Sequence, residues 1–401
     1  MLSGKQLFLR FLGQTSPAPL MVEIDRAEGV FMYGPHGEKY LDLISGVSVS
    51  NVGHNHPQVT EAVRRQAESY THLMVYGELI LGPQVSYARK LASVLPHGLD
   101  NCYFVNSGSE AVEGAMKLAK RFTGRTKIIS FRNSYHGSTH GAISLQGSEI
   151  YRNAFRPLLP DTFQIGFNDE NALDIIDSRT ACVIAEPIQG EAGIVLPAEG
   201  FLDKLRKRCS ETGALLVFDE VQTGFGRTGY MFASQRYNVT PDIIILAKAL
   251  GGGMPLGAFV SSRDIMQSLS DRPVLGHITT FGGHPVSCAA GEAALQVIVG
   301  ENLAGAAIHK AGLFRERLSH RLISGIRGEG LLMAIELKSR DHVRYAVANA
   351  PRFGLITDFF LFCENAIRVA PPLIISEDEI TLACNLLHSL LDDTMKNIEQ
   401  A

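Results

Sequence analysis

Two ionisable residues stand beside apolar runs of the sequence, where a buried charge is costly. Asp219 follows the run ALLVF, and Lys248 follows IIILA and comes three positions before three consecutive glycines. A buried carboxylate is strongly destabilising unless a cation meets it. A lysine beside a buried strand either has a depressed pKa or is used covalently as an imine, although the position of Lys248 also fits a surface lysine with a buried stem. Asp219 is therefore a candidate for pairing with a bound cation, and Lys248 for imine formation.

The segment NSGSEAVEGAMKLAKRF begins with a helix-start pattern. Ser107 and Glu110 have the spacing of a capping box. Gly108 and Ser109 would then lie at the helix N-terminus, where free backbone N–H groups and the positive end of the helix dipole bind anions. Taken without context, the pattern fits an ordinary capped helix better than an anion site. In the motif SYHG, Tyr135 follows the predicted strand KIISF, and its ring is suited either to stack on a planar ligand or to pack at the edge of the core.

The elements that must position these residues follow from the alternation of apolar patterns. Over residues 55–300, short aliphatic runs such as CYFV, KIISF, ACVIA, ALLVF and DIIIL alternate with longer segments of helical period. This alternation predicts βα units around a mostly parallel sheet, hence a large α/β domain at 55–300. The carboxyl ends of such strands form the edge at which open α/β sheets bind ligands. The segments 1–54 and 301–401 are predicted to form one small α+β domain together.

The composition narrows the class of protein and its compartment. The 401 residues carry 37 Lys and Arg against 41 Asp and Glu, a net charge of −4, and the lack of a basic run argues against nucleic acid or an anionic membrane as partner. No apolar stretch approaches the roughly 18 residues of a membrane span. The N-terminal segment MLSGKQLFLRFLG has Arg10 within its apolar run and predicts a terminal helix rather than a signal peptide. Six scattered cysteines predict free thiols in a reducing compartment, with no disulphide framework and no metal site, so a cytoplasmic protein is expected.

Together, the motifs resemble those of the class III pyridoxal-phosphate aminotransferases, which have the fold type I architecture. The matching segments, in order, are NSGSEAVEGAMKLAKR, SYHG, EPIQGEAG, DEVQTGFGRTG, PDIIILAKALGGGMPLGA and TTFGGHP. They cover residues 100–290, and weaker similarity in RGEGLLMAIEL and IRVAPPL extends over most of the chain. The combination of DEVQTGFGRTG with AKALGGG downstream is far more specific than a glycine-rich loop.

The resemblance implies pyridoxal 5'-phosphate as cofactor and a role for each candidate residue. Asp219 would pair with the protonated pyridine nitrogen and raise its pKa, which makes the ring an acceptor for carbanion electrons. Lys248 would form the Schiff base with the cofactor and then act as general base and acid for the 1,3-proton shift. Val221 would share the strand face of Asp219 if the chain stays extended, and would press on the ring opposite Tyr135. The other implied cofactor contacts are Ser107, Gly108 and Ser109 near the phosphate, His136 beside Tyr135, Gln222 on the ring oxygen, and Thr280 on the phosphate of the neighbouring subunit in a homodimer with shared active sites.

The resemblance also extends to the substrates, a small-molecule amine and an oxo acid. Glu191 and Arg368 match a pair in the ornithine, acetylornithine and 4-aminobutyrate members. The mechanism of those families implies that Glu191 masks Arg368 while the donor presents its terminal amine. Arg368 would then swing free and bind the α-carboxylate of the oxo acid in a bidentate fork. A fixed ion pair at a domain boundary is the alternative. Val47 aligns with an apolar residue of the donor pocket.

Ser138 departs from the family pattern, because the same relatives carry an arginine there that clamps a distal carboxylate. Either Arg132, Arg152 or Arg156 supplies that charge, or the distal group of the substrate is not a carboxylate. The leading hypothesis is transfer of an amino group from an ω-amino acid or ornithine-like donor to 2-oxoglutarate or pyruvate. The alternatives are an aminomutase of the glutamate-1-semialdehyde type, an amine:pyruvate aminotransferase, and decarboxylation or racemisation on the same scaffold. A non-catalytic cofactor-binding module is disfavoured by the presence of Lys248.

Overall fold

The strands form three sheets. The computed structural model describes residues 3–399, and its strands in chain order are β1 Arg26–Glu28, β2 Phe31–Tyr33, β3 Lys39–Asp42, β4 Asn101–Val105, β5 Lys127–Phe131, β6 Thr162–Ile165, β7 Thr180–Ala185, β8 Leu215–Asp219, β9 Ile243–Leu246, β10 Gly257–Ser261, β11 Ile323–Glu329, β12 Leu332–Leu337, β13 Leu355–Ile356 and β14 Ala366–Val369. The largest sheet has the order β4-β10-β9-β8-β7-β5-β6. Strands β5 to β9 pair in parallel, whereas β10 runs antiparallel to β9 and β4. The mostly parallel sheet expected from the sequence is thus present.

The helices separate and cover the strands. In chain order they are α1 Gly4–Phe11, α2 Ser45–Ser48, α3 Pro57–Ser69, α4 Gly82–Ala92, α5 Gly108–Thr123, α6 His140–Ser144, α7 Glu149–Arg152, α8 Phe201–Thr212, α9 Ala233–Arg236, α10 Arg263–Met266, α11 Pro285–Gly300, α12 Leu303–Arg317, α13 Arg340–Asn349 and α14 Glu377–Glu399. Short 3-10 turns lie at Asn153–Phe155, Asn171–Ile175, Lys248–Gly251, Gln267–Leu269 and Ala350–Phe353. No helix within residues 3–399 combines the length and apolarity needed to cross a membrane.

Every residue of strands β7 to β10 is buried, as expected for strands covered on both faces. One covering element is α5, which follows β4 and ends at Gly124 in the left-handed conformation. Its residues Ala111, Ala115 and Leu118 are buried in the cluster that contains the inward side chains of the sheet. Phe122, in the last turn of the same helix, is about half exposed.

The two ends of the chain share one of the smaller sheets. Its order is β1-β2-β3-β13, and β13 pairs in parallel with β3 through Leu355 and Leu41. The third sheet has the order β11-β12-β14 and carries Arg368 on its edge strand. The predicted division at residues 54 and 300 stays a prediction, but the pairing explains why segments so far apart in sequence fold together. The predicted terminal helix is α1, capped by Ser3, while Met1 and Leu2 of the predicted segment lie outside the described residues.

Candidate active site

A cavity of about 500 Å³ opens at the carboxyl ends of the central strands. Parallel strands bring their carboxyl ends to one edge of a sheet, so the residues that follow each strand meet there. Segments after β4, β5, β7, β8 and β9 all contribute to the walls. The lining residues used below are Asn106, Gly108, Ser109, Tyr135, His136, Gly137, Glu186, Glu191, Asp219, Val221, Gln222, Lys248 and Gly253.

Asp219 is the last residue of β8 and is held from two sides. Its Oδ2 lies 2.7 Å from Nδ1 of His136, and its Oδ1 accepts a hydrogen bond of 3.0 Å from the backbone N–H of Val221. Burial favours the neutral imidazole, but the hydrogen bond and the charge of Asp219 outweigh it and raise the pKa of His136. The shared strand face was predicted only for an extended chain, and that condition is not met: the strand ends at Asp219, and Val221 reaches the cavity through a turn. The carboxylate is therefore fixed in orientation, with the partly buried Val221 beside it.

Glu186, which follows β7 in EPIQGEAG, is a buried acid that the sequence interpretation missed. Its Oε1 accepts from the N–H of Tyr135 at 3.0 Å, and its Oε2 accepts from the N–H of Gly190 at 2.8 Å. Burial raises the pKa of Glu186 to about 7, with opposing contributions from His136 and from the two backbone bonds. A carboxylate so placed fixes the loop that carries Tyr135 and adds a titrating group beneath the cavity. The only available signal was a Glu immediately after a buried strand, the same signal used for Asp219.

Lys248 begins a 3-10 turn just after β9 and has a backbone φ of 54°. A left-handed conformation is strained for a lysine and is typical of functional sites. Burial lowers the pKa of its amine, against the opposing charge of Glu191. Two of the glycines that follow have different surroundings. A Cβ on Gly252 would lie 2.7 Å from the carbonyl oxygen of Ala290 in α11, which is too close, whereas Gly253 lines the cavity. The site thus holds an amine that loses its proton more readily than a free lysine does.

The N-terminus of α5 forms another wall of the cavity. Ser107 caps the helix by accepting a hydrogen bond of 3.2 Å from the N–H of Glu110, but the carboxylate of Glu110 accepts from Asn106 and not from Ser107, so the predicted capping box is only half formed. Ser109 accepts a hydrogen bond of 3.0 Å from the N–H of Ser138. Gly137 has a φ of 123°, and a Cβ there would lie 1.9 Å from Oγ of Ser109. Backbone donors at a helix N-terminus suit an anionic group.

Arg368 and Glu191 form a buried ion pair at the far side of the cavity. Nη2 of Arg368 donates to both carboxylate oxygens of Glu191, at 2.8 and 2.9 Å. Gln222 donates to Oε1 of Glu191 at 3.0 Å, which links this pair to the strand end that carries Asp219. Burial raises and the charge of Arg368 lowers the pKa of Glu191, with a net lowering. Nε of Arg368 donates to Asp358, a second carboxylate that the sequence interpretation missed. The predicted pair is present and ionised, and Glu191 separates Arg368 from the cavity.

Three positions discussed from the sequence lie outside this cavity. Val47 does not line the cavity, and Val49 does, because residues 46–48 turn through the left-handed conformation and not along an extended strand. Thr280 is exposed and outside this cavity, and Ser138 is also exposed. None of the three arginines considered in place of an arginine at 138 lines the cavity within residues 3–399: Arg132 is exposed, and both Arg152 and Arg156 pair with Glu149.

Comparison with known proteins agrees with this geometry. The family model for Aminotransferase class-III matches residues 13–391. The acetylornithine aminotransferase of Methanopyrus kandleri is 41% identical over 361 residues, covering 89% of this chain and 90% of the relative. Ornithine aminotransferase 2 of Staphylococcus aureus is 37% identical, covering 91% and 93% respectively.

Two solved structures are similar over nearly the whole chain. The ornithine aminotransferase of Toxoplasma gondii, with partial occupancy of PLP at its active site, has a TM-score of 0.89 at 30% identity and covers 97% of this chain and 94% of its own. The omega transaminase of Pseudomonas jessenii in complex with PMP has a TM-score of 0.91 at 27% identity and covers 98% of each chain.

The chain belongs to the class III aminotransferases. The predicted α/β fold of type I is confirmed, and the protein is an enzyme that transfers amino groups between small molecules. Class III aminotransferases are pyridoxal-phosphate enzymes, so the predicted cofactor is confirmed as well.

Proposed function

We propose that this aminotransferase moves an amino group from an ω-amino acid or ornithine-like donor to a 2-oxo acid, either 2-oxoglutarate or pyruvate. One observation carries the proposal: the cavity that holds Lys248 and Asp219 also contains Glu191, whose carboxylate covers Arg368. A covered arginine presents no free positive charge to an approaching terminal amine and later offers a fork for an α-carboxylate. The names of the similar acetylornithine and ornithine aminotransferases support a donor with a terminal amine.

The lining residues fit the cofactor in their chemistry. When bound, pyridoxal phosphate supplies a protonated ring that takes up the electrons released at the substrate carbon. Asp219 would face the ring nitrogen, and its orientation is already fixed by His136 and the N–H of Val221. Lys248 would hold the aldehyde carbon and, once the substrate amine has taken its place there, would be free to carry the transferred proton, which its lowered pKa favours. The start of α5 would hold the phosphate through backbone N–H groups at Gly108 and Ser109.

The other lining groups would orient the ring. Tyr135 would cover one face and Val221 the other, while His136 stays beneath Asp219. Gln222 uses one N–H on Glu191, and its second N–H would serve the ring oxygen. Ser107 would act through the start of α5, whose first turn it caps.

We infer a homodimer in which Thr280 reaches the phosphate of the partner site. Thr280 is exposed and lies in a segment with other exposed apolar side chains, including Val274, Ile278 and Phe281. A further exposed group lies on α1, at Leu7, Leu9 and Phe11. Surfaces of this kind mark association sites in soluble proteins. Analytical ultracentrifugation would test the dimer, and a monomer at micromolar concentration with full activity would refute it.

The six cysteines are free thiols, five of them buried, which supports the proposed cytoplasmic location.

The donor is identified by presenting amines singly to the cofactor-loaded enzyme. Conversion of the cofactor from its aldehyde to its amine form changes its absorption, and the rate of that change ranks the donors. Ornithine-like donors and ω-amino acids should convert it faster than simple α-amino acids. If no amine or amino acid converts the cofactor, the proposed donor class is wrong.

A second candidate is an amine:pyruvate aminotransferase. Ser138 favours it, since a hydroxyl carries no positive charge to match a distal carboxylate and the three arginines considered in its place lie outside the cavity. Conversion by amines without a carboxylate, followed by turnover with pyruvate but not 2-oxoglutarate, would select this candidate. Steady turnover of an amino-aldehyde without any oxo acid would instead select the aminomutase.

A further inference from the structure

The guanidinium of Arg368 is held by two carboxylates from different parts of the fold. Glu191, from the loop after β7, takes Nη2 with both of its oxygens. Asp358, from the loop between β13 and β14, accepts from Nε at 3.0 Å. Within residues 3–399, Nη1 is buried and has no hydrogen-bond partner. One donor nitrogen of a buried cation is thus left without a partner among the described residues.

We propose that Asp358 is a positioning residue that holds Arg368 in place while Glu191 gives way to the carboxylate of the oxo acid. This inference rests on the proposed function, because it assumes that Arg368 receives a substrate carboxylate. The movement differs from the one that the resemblance implies, in which Arg368 swings free. Here Glu191 moves away and the guanidinium of Arg368 stays in place.

The donor geometry of the guanidinium supports this division. Nε and one N–H of Nη2 share one edge of the guanidinium plane, and Nη1 with the other N–H of Nη2 forms a second edge. Asp358 occupies Nε, on the first edge, and Glu191 occupies Nη2. When Glu191 departs, Nη2 keeps only a long contact of 3.5 Å to the carbonyl of Phe359. With the unused Nη1 it then completes the second edge as a two-pronged site for a carboxylate. The bond to Asp358 need not break.

The two carboxylates are also held in different ways, and the difference supports the same division of roles. Asp358 is tied to Arg368 through the backbone, since the N–H of Arg368 donates to the carbonyl of Asp358 at 2.8 Å, and Oγ1 of Thr357 donates to the carbonyl of Arg368 at 2.7 Å. The ring of Phe360 lies 4.6 Å from the guanidinium and covers one of its faces. The carboxylate of Glu191 is held by Arg368, by Gln222 and by the backbone N–H of Leu361 at 3.2 Å. None of these bonds belongs to a strand pairing, so the side chain of Glu191 can rotate away while the sheets stay intact.

The charges around Asp358 set the pH range over which it can hold Arg368 as a charged anchor. Arg368 on β14, Glu191 after β7 and Asp42 on β3 are the charged groups that act on it. Burial raises the pKa of Asp358 to about 6 although Arg368 lowers it. The anchor is therefore fully charged above about pH 7 and is lost as the pH falls through 6.

The test is binding of glutarate, a non-reactive dicarboxylate, to the cofactor-loaded enzyme by isothermal titration calorimetry. We expect Asp358→Asn to weaken glutarate binding about tenfold at pH 8, because the amide still accepts from Nε of Arg368 but lacks the charge that strengthens this bond. The variant should also lack the weakening of glutarate binding that wild type shows below pH 6. Asp358→Glu should keep binding within about threefold, since it keeps the charge. Glu364→Gln removes an exposed carboxylate of the same loop that pairs with Arg340, and should bind like wild type.

The rate at which the donor converts the cofactor should change less than twofold in Asp358→Asn, because Glu191 still covers Arg368. Equal glutarate affinity in wild type and Asp358→Asn would overturn the proposal. Tighter binding by the variant would also overturn it, because Asp358 would then compete with the substrate as a second mask. An unchanged cofactor spectrum and melting temperature show that the variant is folded. Failure of the donor assignment appears separately, as wild type that binds glutarate but is not converted by any amine.

Discussion

The buried carboxyl of Glu186 offers a quantitative test of the electrostatics beneath the cavity. Burial raises its pKa from 4.5 to about 7, and each pKa unit corresponds to about 1.4 kcal/mol. The folded state therefore disfavours the ionised form by about 3 kcal/mol relative to the unfolded chain. Because the folded pKa is the higher one, the stabilising contribution is fully present below about pH 4.5 and is lost as the pH rises through 7.

Glu186→Gln removes this titration. The variant also loses an acceptor for the N–H of Tyr135 or Gly190, which lowers stability by a similar amount, about 1–3 kcal/mol, at every pH. Its stability relative to wild type should therefore rise by about 2–3 kcal/mol between pH 5 and pH 8, whatever the constant offset.

The assay is urea unfolding of the apoenzyme at fixed protein concentration, at pH values from 5 to 8. The cofactor is omitted because its own ionisation would overlap that of Glu186. Glu199→Gln, at an exposed position, serves as the control and should follow the wild-type curve. Wild-type and Glu186→Gln curves that run parallel across this range would show that Glu186 does not titrate there, and the assignment of a near-neutral carboxyl would be withdrawn.

Three further substitutions test the structure elsewhere. Lys248→Ala should retain cofactor non-covalently and lose turnover by several orders of magnitude, measured by absorption after gel filtration and by steady-state rates; near-normal turnover would remove Lys248 from its proposed role. Gly137→Ala should raise the dissociation constant of the cofactor at least about tenfold, because the new Cβ strains the backbone and meets Oγ of Ser109; a fluorescence titration showing unchanged affinity would contradict the placement of that loop. Arg227→Met should lower the free energy of unfolding by about 3 kcal/mol or more, because fully buried Arg227 donates to Asn51 and to backbone carbonyls of two other segments; a loss below about 1 kcal/mol would show that those acceptors find other donors.

The residue types at the strand ends were visible in the sequence because they break local patterns. A carboxylate after ALLVF and a lysine after IIILA are costly at those places unless they are used, so Asp219 and Lys248 were candidates before any fold was known, and the family resemblance then assigned their roles. The alternation of apolar runs with helical periods likewise determined a mostly parallel α/β sheet, since periodicity reports which faces are buried.

The tertiary structure decided which of these residues meet. Glu191 and Arg368 are 177 positions apart, and only the family resemblance paired them in advance. Asp358 joined them without any sequence signal, because its partner is set by the pairing around β14. Val49 and not Val47 faces the cavity since the backbone turns there through left-handed conformations that no apolar pattern records. Local periodicity specifies the burial of a side chain, whereas contacts between distant segments depend on sheet order and loop path, which only the folded chain establishes.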